Sequence, residues 1–382
     1  MRFILCFVVA GVAFHFAVQQ TGAQAAPAWL EQESGVTASL RGIDSVNGQI
    51  AWASGSGGTV LRTTDGGTHW QRCAIPDADK DGATLDFRGV QAWDADNAVV
   101  MASGPGDKSR LYKTTDGCET WELLFANPDA PSGFFDSFWM NGPRGIVVGD
   151  PVAGRMVVFL SLNHGKSWKR DEHAGLDVKE GETAAFAASN RSIPIGNALF
   201  ARAFATGGKA GALFFSRPFT EEEEQRGIVD KLVRKEPGWR KSHMPLAGGA
   251  ESAGAFAVAY RFPVTTGSCG DCDFAENAIF VAVGGDFAKP AETAGTGAWS
   301  ADGGWTWTAS LKRPHGYRSA VQWSDVLHFW IAVGANGSDL SRDDGRSWQP
   351  LDDGNWNALS LPFVVGPKGH IARLNVAAPA KP

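Results

Sequence analysis

Thr63-Thr64-Asp65-Gly66-Gly67-Thr68-His69-Trp70 decides how this chain is read, because the same phrase returns four more times. Thr114-Thr115-Asp116-Gly117-Cys118-Glu119-Thr120-Trp121 and Ser161-Leu162-Asn163-His164-Gly165-Lys166-Ser167-Trp168 are the second and third copies. Ser300-Ala301-Asp302-Gly303-Gly304-Trp305-Thr306-Trp307 and Ser341-Arg342-Asp343-Asp344-Gly345-Arg346-Ser347-Trp348 are the fourth and fifth. The shared pattern is Ser/Thr-x-Asp-x-Gly-x-x-Trp. An Asx side chain accepts hydrogen bonds from backbone N–H groups a few residues on and so closes a turn. The glycine supplies a positive φ, and the indole wedges a large apolar ring between neighbouring sheets. Asn163 replaces the Asp in one copy, and Cys118 stands where a glycine is expected, with Gly117 beside it to take over the turn.

The spacing sets the architecture. Asp65 and Asp116 are 51 residues apart, Asp116 and Asn163 are 47 apart, and Asp302 and Asp343 are 41 apart. A period in this range, with several short strands in each unit, marks propeller blades. The long gap between Asn163 and Asp302 predicts one further, degenerate copy. Leu213-Phe214-Phe215-Ser216 reads as its lead-in strand and Trp239 as its delayed tryptophan, with the charged run 217–238 as a surface insertion.

Each unit has the same front half: an inner apolar strand, a turn, a second strand ending near glycine, and a third leading into the repeated phrase. Inner strands are expected at Gly42 to Val46, Gly89 to Trp93, around Phe138, and at Ala184 to Ala188, Gly254 to Tyr260, Ala320 to Trp323 and Ala358 to Leu361. The last unit lacks an outer strand, and Trp29 to Gln32 resembles the residues that follow each tryptophan. That segment is expected to close the ring and remove its exposed sheet edges. The fold class is therefore all-β, a seven-bladed propeller closed by its N-terminal strand, with residues 26–382 as one domain.

Met1-Arg2, an apolar run from Phe3 to Val18 and Ala23-Gln24-Ala25 read as a signal peptide over residues 1–25. The expectation is a secreted, periplasmic protein with no later membrane span. The net charge of −6 argues against nucleic acid as a partner. Cys73, Cys118, Cys269 and Cys272 remain in the mature chain and admit three pairings. Cys269 with Cys272 is the simplest small loop, which leaves Cys73 with Cys118.

The repeated phrases are those of Asp-box, or bacterial-neuraminidase-type, repeats. Ala51-Trp52-Ala53-Ser54-Gly55 followed by Gly57-Gly58-Thr59-Val60-Leu61-Arg62-Thr63-Thr64-Asp65-Gly66-Gly67 resembles the photosystem II stability/assembly factor-like family. The resemblance covers nearly all of the mature chain, the 217–238 insertion excepted. It implies a seven-bladed fold and, from its photosynthetic members, an assembly role. Sialidases and sortilin-type receptors share the box without sharing a job, so fold does not settle function.

Antiparallel pairing puts the start of each inner strand and the end of each second strand at one mouth of the central channel. The inner-strand starts are Arg41, Arg88, Asp136, Glu182, Glu251, Arg318 and Asn357, six of them charged in a chain that is 20% charged. The second-strand ends add Asp107, Asp150, Asp286 and Lys368. Arg41, Arg88, Asp136, Asp150, Glu182, Glu251, Asp286 and Arg318 are the candidate ligand-binding set, a ring of mixed charge where a polar ligand or protein would dock. The bland alternative is mutual pairing that only solvates the rim.

Arg41, Arg88 and Arg318 offer bidentate carboxylate binding, with Tyr317 beside one of them. The carboxylates would supply an acid/base pair if the protein were a glycoside hydrolase. However, a sialidase Phe/Tyr-Arg-Ile-Pro segment is absent, Arg191-Ser192-Ile193-Pro194 being a poor match. No dinucleotide fingerprint occurs, and no histidine pair has metal-ligand spacing. Cys269-Gly270-Asp271-Cys272, readable as a redox motif or half of a zinc site, has no second Cys/His pair nearby, so no cofactor, metal or catalytic residue is assigned. Most tryptophans read as core, with Trp139, Trp323 and Trp356 left as exceptions near the inner strands. The favoured reading is a monomeric binding or assembly module for a protein or polar ligand.

Overall fold

The computed structural model describes residues 28–194, 202–217, 238–263 and 278–375. The proposed signal peptide, almost all of the 217–238 insertion, and Cys269 and Cys272 lie outside the described residues. Seven antiparallel sheets are present, six of four strands and one of three. Blade 1 runs Leu40–Ser45, Ala51–Gly55, Thr59–Thr63 and Gln71–Arg72, and blade 2 runs Phe87–Ala92, Ala98–Ala102, Arg110–Thr114 and Glu122–Ala126. Blade 3 is Phe135–Asn141, Arg144–Val152, Arg155–Ser161 and Lys169–Arg170, and blade 4 is Ala203–Thr206, Leu213–Ser216 and Arg240–His243. Blade 5 is Ala253–Arg261, Ile279–Asp286, Gly297–Ser300 and Thr308–Ala309. Blade 6 is Ala320–Ser324, Phe329–Gly334, Gly337–Ser341 and Gln349–Asp352. Blade 7 combines Ala358–Ser360, Phe363–Val365 and Ile371–Leu374 with Trp29–Gln32 from the other end of the chain, Trp29 facing Leu374 and Gln32 facing Ile371.

The strand composition explains the packing. Each second strand is buried on both faces, as Ala98–Ala102 and Phe329–Gly334 are, so its sequence is continuously apolar or small rather than alternating. Aromatic rings fill the gaps between blades. Trp70 of blade 1 meets Phe363 of blade 7 edge-on at 5.7 Å, and Trp168 of blade 3 stacks on Phe125 of blade 2 at 5.3 Å. Trp29 takes the matching place in blade 7: it lies 6.0 Å from Trp356 and donates Nε1–H to Ser338 of blade 6. Trp239 packs on Phe204 at 5.3 Å and precedes the outer strand of blade 4, as predicted for the delayed tryptophan. Trp139 and Trp356 are buried, and Trp323 packs under Arg261, so all three belong to the packing.

The five turns fold alike, and the Ser/Thr that opens each has a role beyond its place in the pattern. Thr63 Oγ1 accepts the Gly67 N–H at 3.0 Å and donates to Asp65 Oδ1 at 2.9 Å. Asp65 in turn accepts the His69 N–H, four residues on, at 2.9 Å. The same three bonds recur at Thr114, Ser161, Ser300 and Ser341. Hydrogen bonds from the His69 backbone and ring hold the Asp65 carboxyl down to about 2, and bonds from Thr120 do the same for Asp116.

In the second copy Gly117 does not spare Cys118. Cys118 itself adopts φ +71° at the position where Gly67 has +85°, and it forms a disulfide with Cys73 across the blade 1–blade 2 seam. Removing the cross-link from a 45-residue separation is expected to cost about 2–4 kcal/mol. A Cys73→Ala/Cys118→Gly variant should recover roughly 1 kcal/mol of that by relieving the positive φ. Thermal melts of the two alanine variants, the alanine/glycine variant and reduced wild type check both parts.

Blade 4 departs from expectation. Ala184 to Ala188 is not a strand. Ala184 makes a single bridge to Gly207, and pairing with the next strand resumes only where Ala205 N–H meets Ser192 O. The intervening residues 185–191 bond to or pack against blades 2, 3, 5, 6 and 7 at or beside their inner strands. Asn190 Oδ1 accepts the Phe138 N–H of blade 3 at 2.8 Å, and Ser189 donates to Ser319 O of blade 6 at 2.6 Å. Arg191 O accepts the Val258 N–H of blade 5, while its Nη2 reaches Leu359 O of blade 7 at 3.1 Å and its charge faces Asp44 of blade 1. In blade 2, a Cβ on Gly89 would come within 3.0 Å of the Asn190 side chain, so glycine there admits the crossing segment. The channel is plugged by the segment expected to form its fourth inner strand.

Candidate functional site

The mouth is built by a repeated backbone device. The inner strands of blades 1, 2, 3 and 5 each carry a bulge, between Leu40 and Gly42, Phe87 and Gly89, Phe135 and Ser137, and Ala255 and Ala257. A bulge puts two residues opposite one and re-aims the extra side chain. Leu40, Phe87, Phe135 and Ala255 stay in the core. The bulged residues, Arg41, Arg88, Asp136 and Phe256, are freed from the core register.

Arg41, Arg88, Asp136 and Asp150 come together there around a residue the sequence reading missed, Asp86. Arg88 Nε donates to Asp86 Oδ2 at 2.8 Å, and Arg41 Nε lies 3.5 Å from Asp86 Oδ1. The two arginines thus share one carboxylate. Arg41 makes no hydrogen bond among the described residues, and its side chain is 33% exposed. Asp86 stands two positions before Arg88, and taking one residue per strand start passed over it.

The two deeper carboxyls hold the plug. Asp150 Oδ1 accepts the Ala185 N–H at 3.0 Å, Arg88 Nη1 donates to Ala187 O at 3.4 Å, and buried Asp136 feels the Ala187 N–H, its Oδ2 making no hydrogen bond among the described residues. Burial pushes the Asp136 carboxyl well above the carboxylate range; neighbouring Asp150 adds to this, and Arg88 opposes it. Burial likewise raises Asp150 to about 6, against the hydrogen bond from Ala185. These groups are engaged by backbone, and Asp136 is 2% exposed, so an open pocket between two facing carboxylates, as glycoside hydrolysis needs, is not what this pair forms.

The remaining candidates make no hydrogen bond or ion pair with the Asp86 cluster among the described residues. Glu251 precedes the bulge residue Phe256 by five positions, on an exposed loop where it pairs with Lys209 at 2.7 Å. Glu182 pairs with Lys179 on the same side of the ring, and its charge also reaches Lys209. Asp286 ends the second strand of blade 5, accepts the Ala288 N–H at 3.0 Å and lies 3.9 Å from Lys289. Asn357 occupies the blade 7 counterpart of the bulge position and donates to Leu40 O at 2.7 Å.

Arg318 is displaced by one register step. Gly334 abuts Tyr317 O and the Arg318 Cα just as Gly55 abuts Ser39 O and the Leu40 Cα, so Arg318 matches core Leu40 and Ser319 matches Arg41. Its side chain therefore turns into blade 6. There Nε donates to buried Asp339 at 2.7 Å, and Nη1 donates to Tyr317 O and Asn336 Oδ1. Lys368 lines a separate polar groove of about 850 Å³ at the blade 7–blade 1 seam, with Arg72, His370 and the 31–38 segment.

No family model matches the sequence, and no curated protein does. Solved structures do match. YCF48 bound to D1 peptide superposes with a TM-score of 0.55 at 14% identity, over 94% of this chain and 99% of that one. YCF48 from Cyanidioschyzon merolae superposes at 0.56 and 17% identity, over 91% and 99%. Likeness at this level carries the fold: the chain is a seven-bladed β-propeller that resembles the photosystem II assembly factor-like propellers.

Proposed function

We propose that the protein is an exported binding module that captures an acidic segment of a partner protein at the plugged mouth. The observation that carries this is the Arg41–Asp86–Arg88 triad, in which two guanidinium groups share one carboxylate; the Arg41 Nε is buried against Asp86, and its Nη groups are left to meet an incoming anion. A carboxylate met there gains charge-assisted, bidentate hydrogen bonds in a partly desolvated setting. The plug gives the mouth a floor, so the ligand docks from one side.

Several features support this reading. One similar fold is a complex with a peptide, as its description states. A disulfide accords with an oxidising compartment, and no helix among the described residues is long and apolar enough to cross a membrane. The mature chain from residue 26, as one domain, is the unit proposed to act.

Arg41→Gln and Arg88→Gln are each expected to weaken capture of an acidic peptide about tenfold, and the double variant more. Folding should change little in Arg41→Gln, whose side chain is 33% exposed, and more in Arg88→Gln, which also loses the bond to Ala187 O of the plug, so melting curves accompany each variant. Fluorescence anisotropy with an acidic peptide and its Asn/Gln counterpart checks this. Equal binding of the two peptides, or no effect of the double variant, would sink the proposal.

A further inference from the structure

The groove at the blade 7–blade 1 seam, about 850 Å³, is lined by charges from both blades. Arg72 comes from the outer strand of blade 1, Lys368 and Glu31 come from blade 7, and Glu33 lies just past its closing strand. Glu31 is taken by His370 at 2.7 Å, and the His370 ring stacks on Trp356 at 4.3 Å. The side chains of Arg72, Lys368 and Glu33 make no hydrogen bond or ion pair among the described residues. Two cations and a carboxylate thus share one cavity without neutralising each other. Thr59 adds a hydroxyl: it lines the groove, is 3% exposed, and makes no side-chain hydrogen bond among the described residues. A buried hydroxyl without a partner carries a desolvation cost that a bound ligand offsets.

Two corresponding turns line this groove. In blade 1, Gly55 and Thr59 pair around Ser56-Gly57-Gly58, and in blade 7 the Gly366 N–H meets His370 O around Pro367-Lys368-Gly369. Both turns use two successive positive φ values. Gly57 and Gly58 have +66° and +67°, and Lys368 and Gly369 have +59° and +72°. Lys368 therefore holds the position that blade 1 gives to glycine, where a side chain is disfavoured. Residues kept in such conformations gather at ligand sites, and this one brings an uncommitted ammonium to the groove.

We propose that the groove binds a small zwitterion, a molecule carrying one carboxylate and one ammonium group. The carboxylate meets Arg72 and Lys368, the ammonium meets Glu33, and the Thr59 hydroxyl takes a further polar atom. A simple anion would leave Glu33 unmatched, and a simple cation would leave Arg72 and Lys368 so. A zwitterion satisfies all three. The groove is separate from the plugged mouth, so this inference goes beyond the proposed function and does not rest on it.

The test titrates the full mature chain with glycine, γ-aminobutyrate and ε-aminocaproate by isothermal calorimetry. The three carry the same two charges at increasing separation, so the tightest binder reports the spacing across the groove. Butyrate and butylamine, with one charge each, are expected to bind at least about tenfold more weakly than that zwitterion. Arg72→Gln and Glu33→Gln should each weaken zwitterion binding about tenfold. Lys368→Gly should weaken it too while the melting temperature holds or rises, because glycine suits the turn. A lysine serving only the turn would not give that split. Arg41→Gln, at the mouth, should leave zwitterion binding unchanged. The inference is overturned if no zwitterion shows saturable binding, if butyrate binds as tightly as γ-aminobutyrate, or if the groove variants bind like wild type. Loss of binding in Arg41→Gln would place the zwitterion at the mouth and overturn it as well.

Discussion

Arg318→Glu is expected to lower the melting temperature by on the order of 10 °C, because it reverses a charge in a dry interior. The Arg318 and Asp339 side chains have no exposure, and Asp339 takes both Nε–H and Nη2–H from the guanidinium. Removing one partner from such a pair costs about 3–5 kcal/mol, since the other charge stays buried and uncompensated. Glutamate does worse, as it sets a second carboxylate beside the first. Arg318→Met alone should fall within that 3–5 kcal/mol range. Arg318→Met with Asp339→Leu should recover most of the loss, limited by His315, whose backbone N–H and ring also reach Asp339. Melts followed by circular dichroism separate these cases. An Arg318→Glu protein that melts like wild type would show that the side chain faces solvent, contrary to its place in blade 6.

The contrast between Arg318 and Arg41 marks what the sequence could and could not reveal. Blade number, turn type, ring closure and even the delayed Trp239 were legible, because each depends on local spacing or on an apolar pattern repeated across units. Side-chain direction at a strand start depends on a bulge, and a bulge shifts register by one residue without leaving a compositional mark. Counting from the apolar run therefore found Arg41, Arg88 and Asp136 but put Arg318 on the wrong side of its strand and chose Glu251 in place of Phe256. The plug was illegible for a different reason. Ala184 to Ala188 has the small, apolar composition of an inner strand, and the partners of the 185–191 segment lie on other blades, so no local pattern distinguishes a strand from a segment threaded through the axis. Arg191, a poor match to the sialidase segment, is part of the plug and donates to Leu359 O of blade 7 at 3.1 Å.

Stability is expected to fall as pH rises from about 4 to 6 and beyond, through the two carboxyls that hold the plug. Asp150 titrates at about 6, and Asp136 is raised well above the usual carboxylate range, both by burial. A carboxyl raised in the folded state binds its proton more tightly there than in the unfolded chain. Its favourable contribution is thus fully present below the unfolded value and is lost as pH climbs through the folded one. For Asp150 the shift bounds the effect at about 3 kcal/mol, and relaxation around a partly accessible group makes roughly 1–2 kcal/mol the expected size. Asp150→Asn keeps a carbonyl oxygen to accept the Ala185 N–H and removes the charge. It should therefore match wild type near pH 4.5, exceed it at pH 8, and flatten the profile between. Asp136→Asn should act in the same direction. Chemical denaturation at pH 4.5, 6 and 8 measures the three slopes. An Asp150→Asn protein less stable than wild type at pH 8 would mean that the ionised carboxylate, by its hold on the plug, outweighs the cost of burying it.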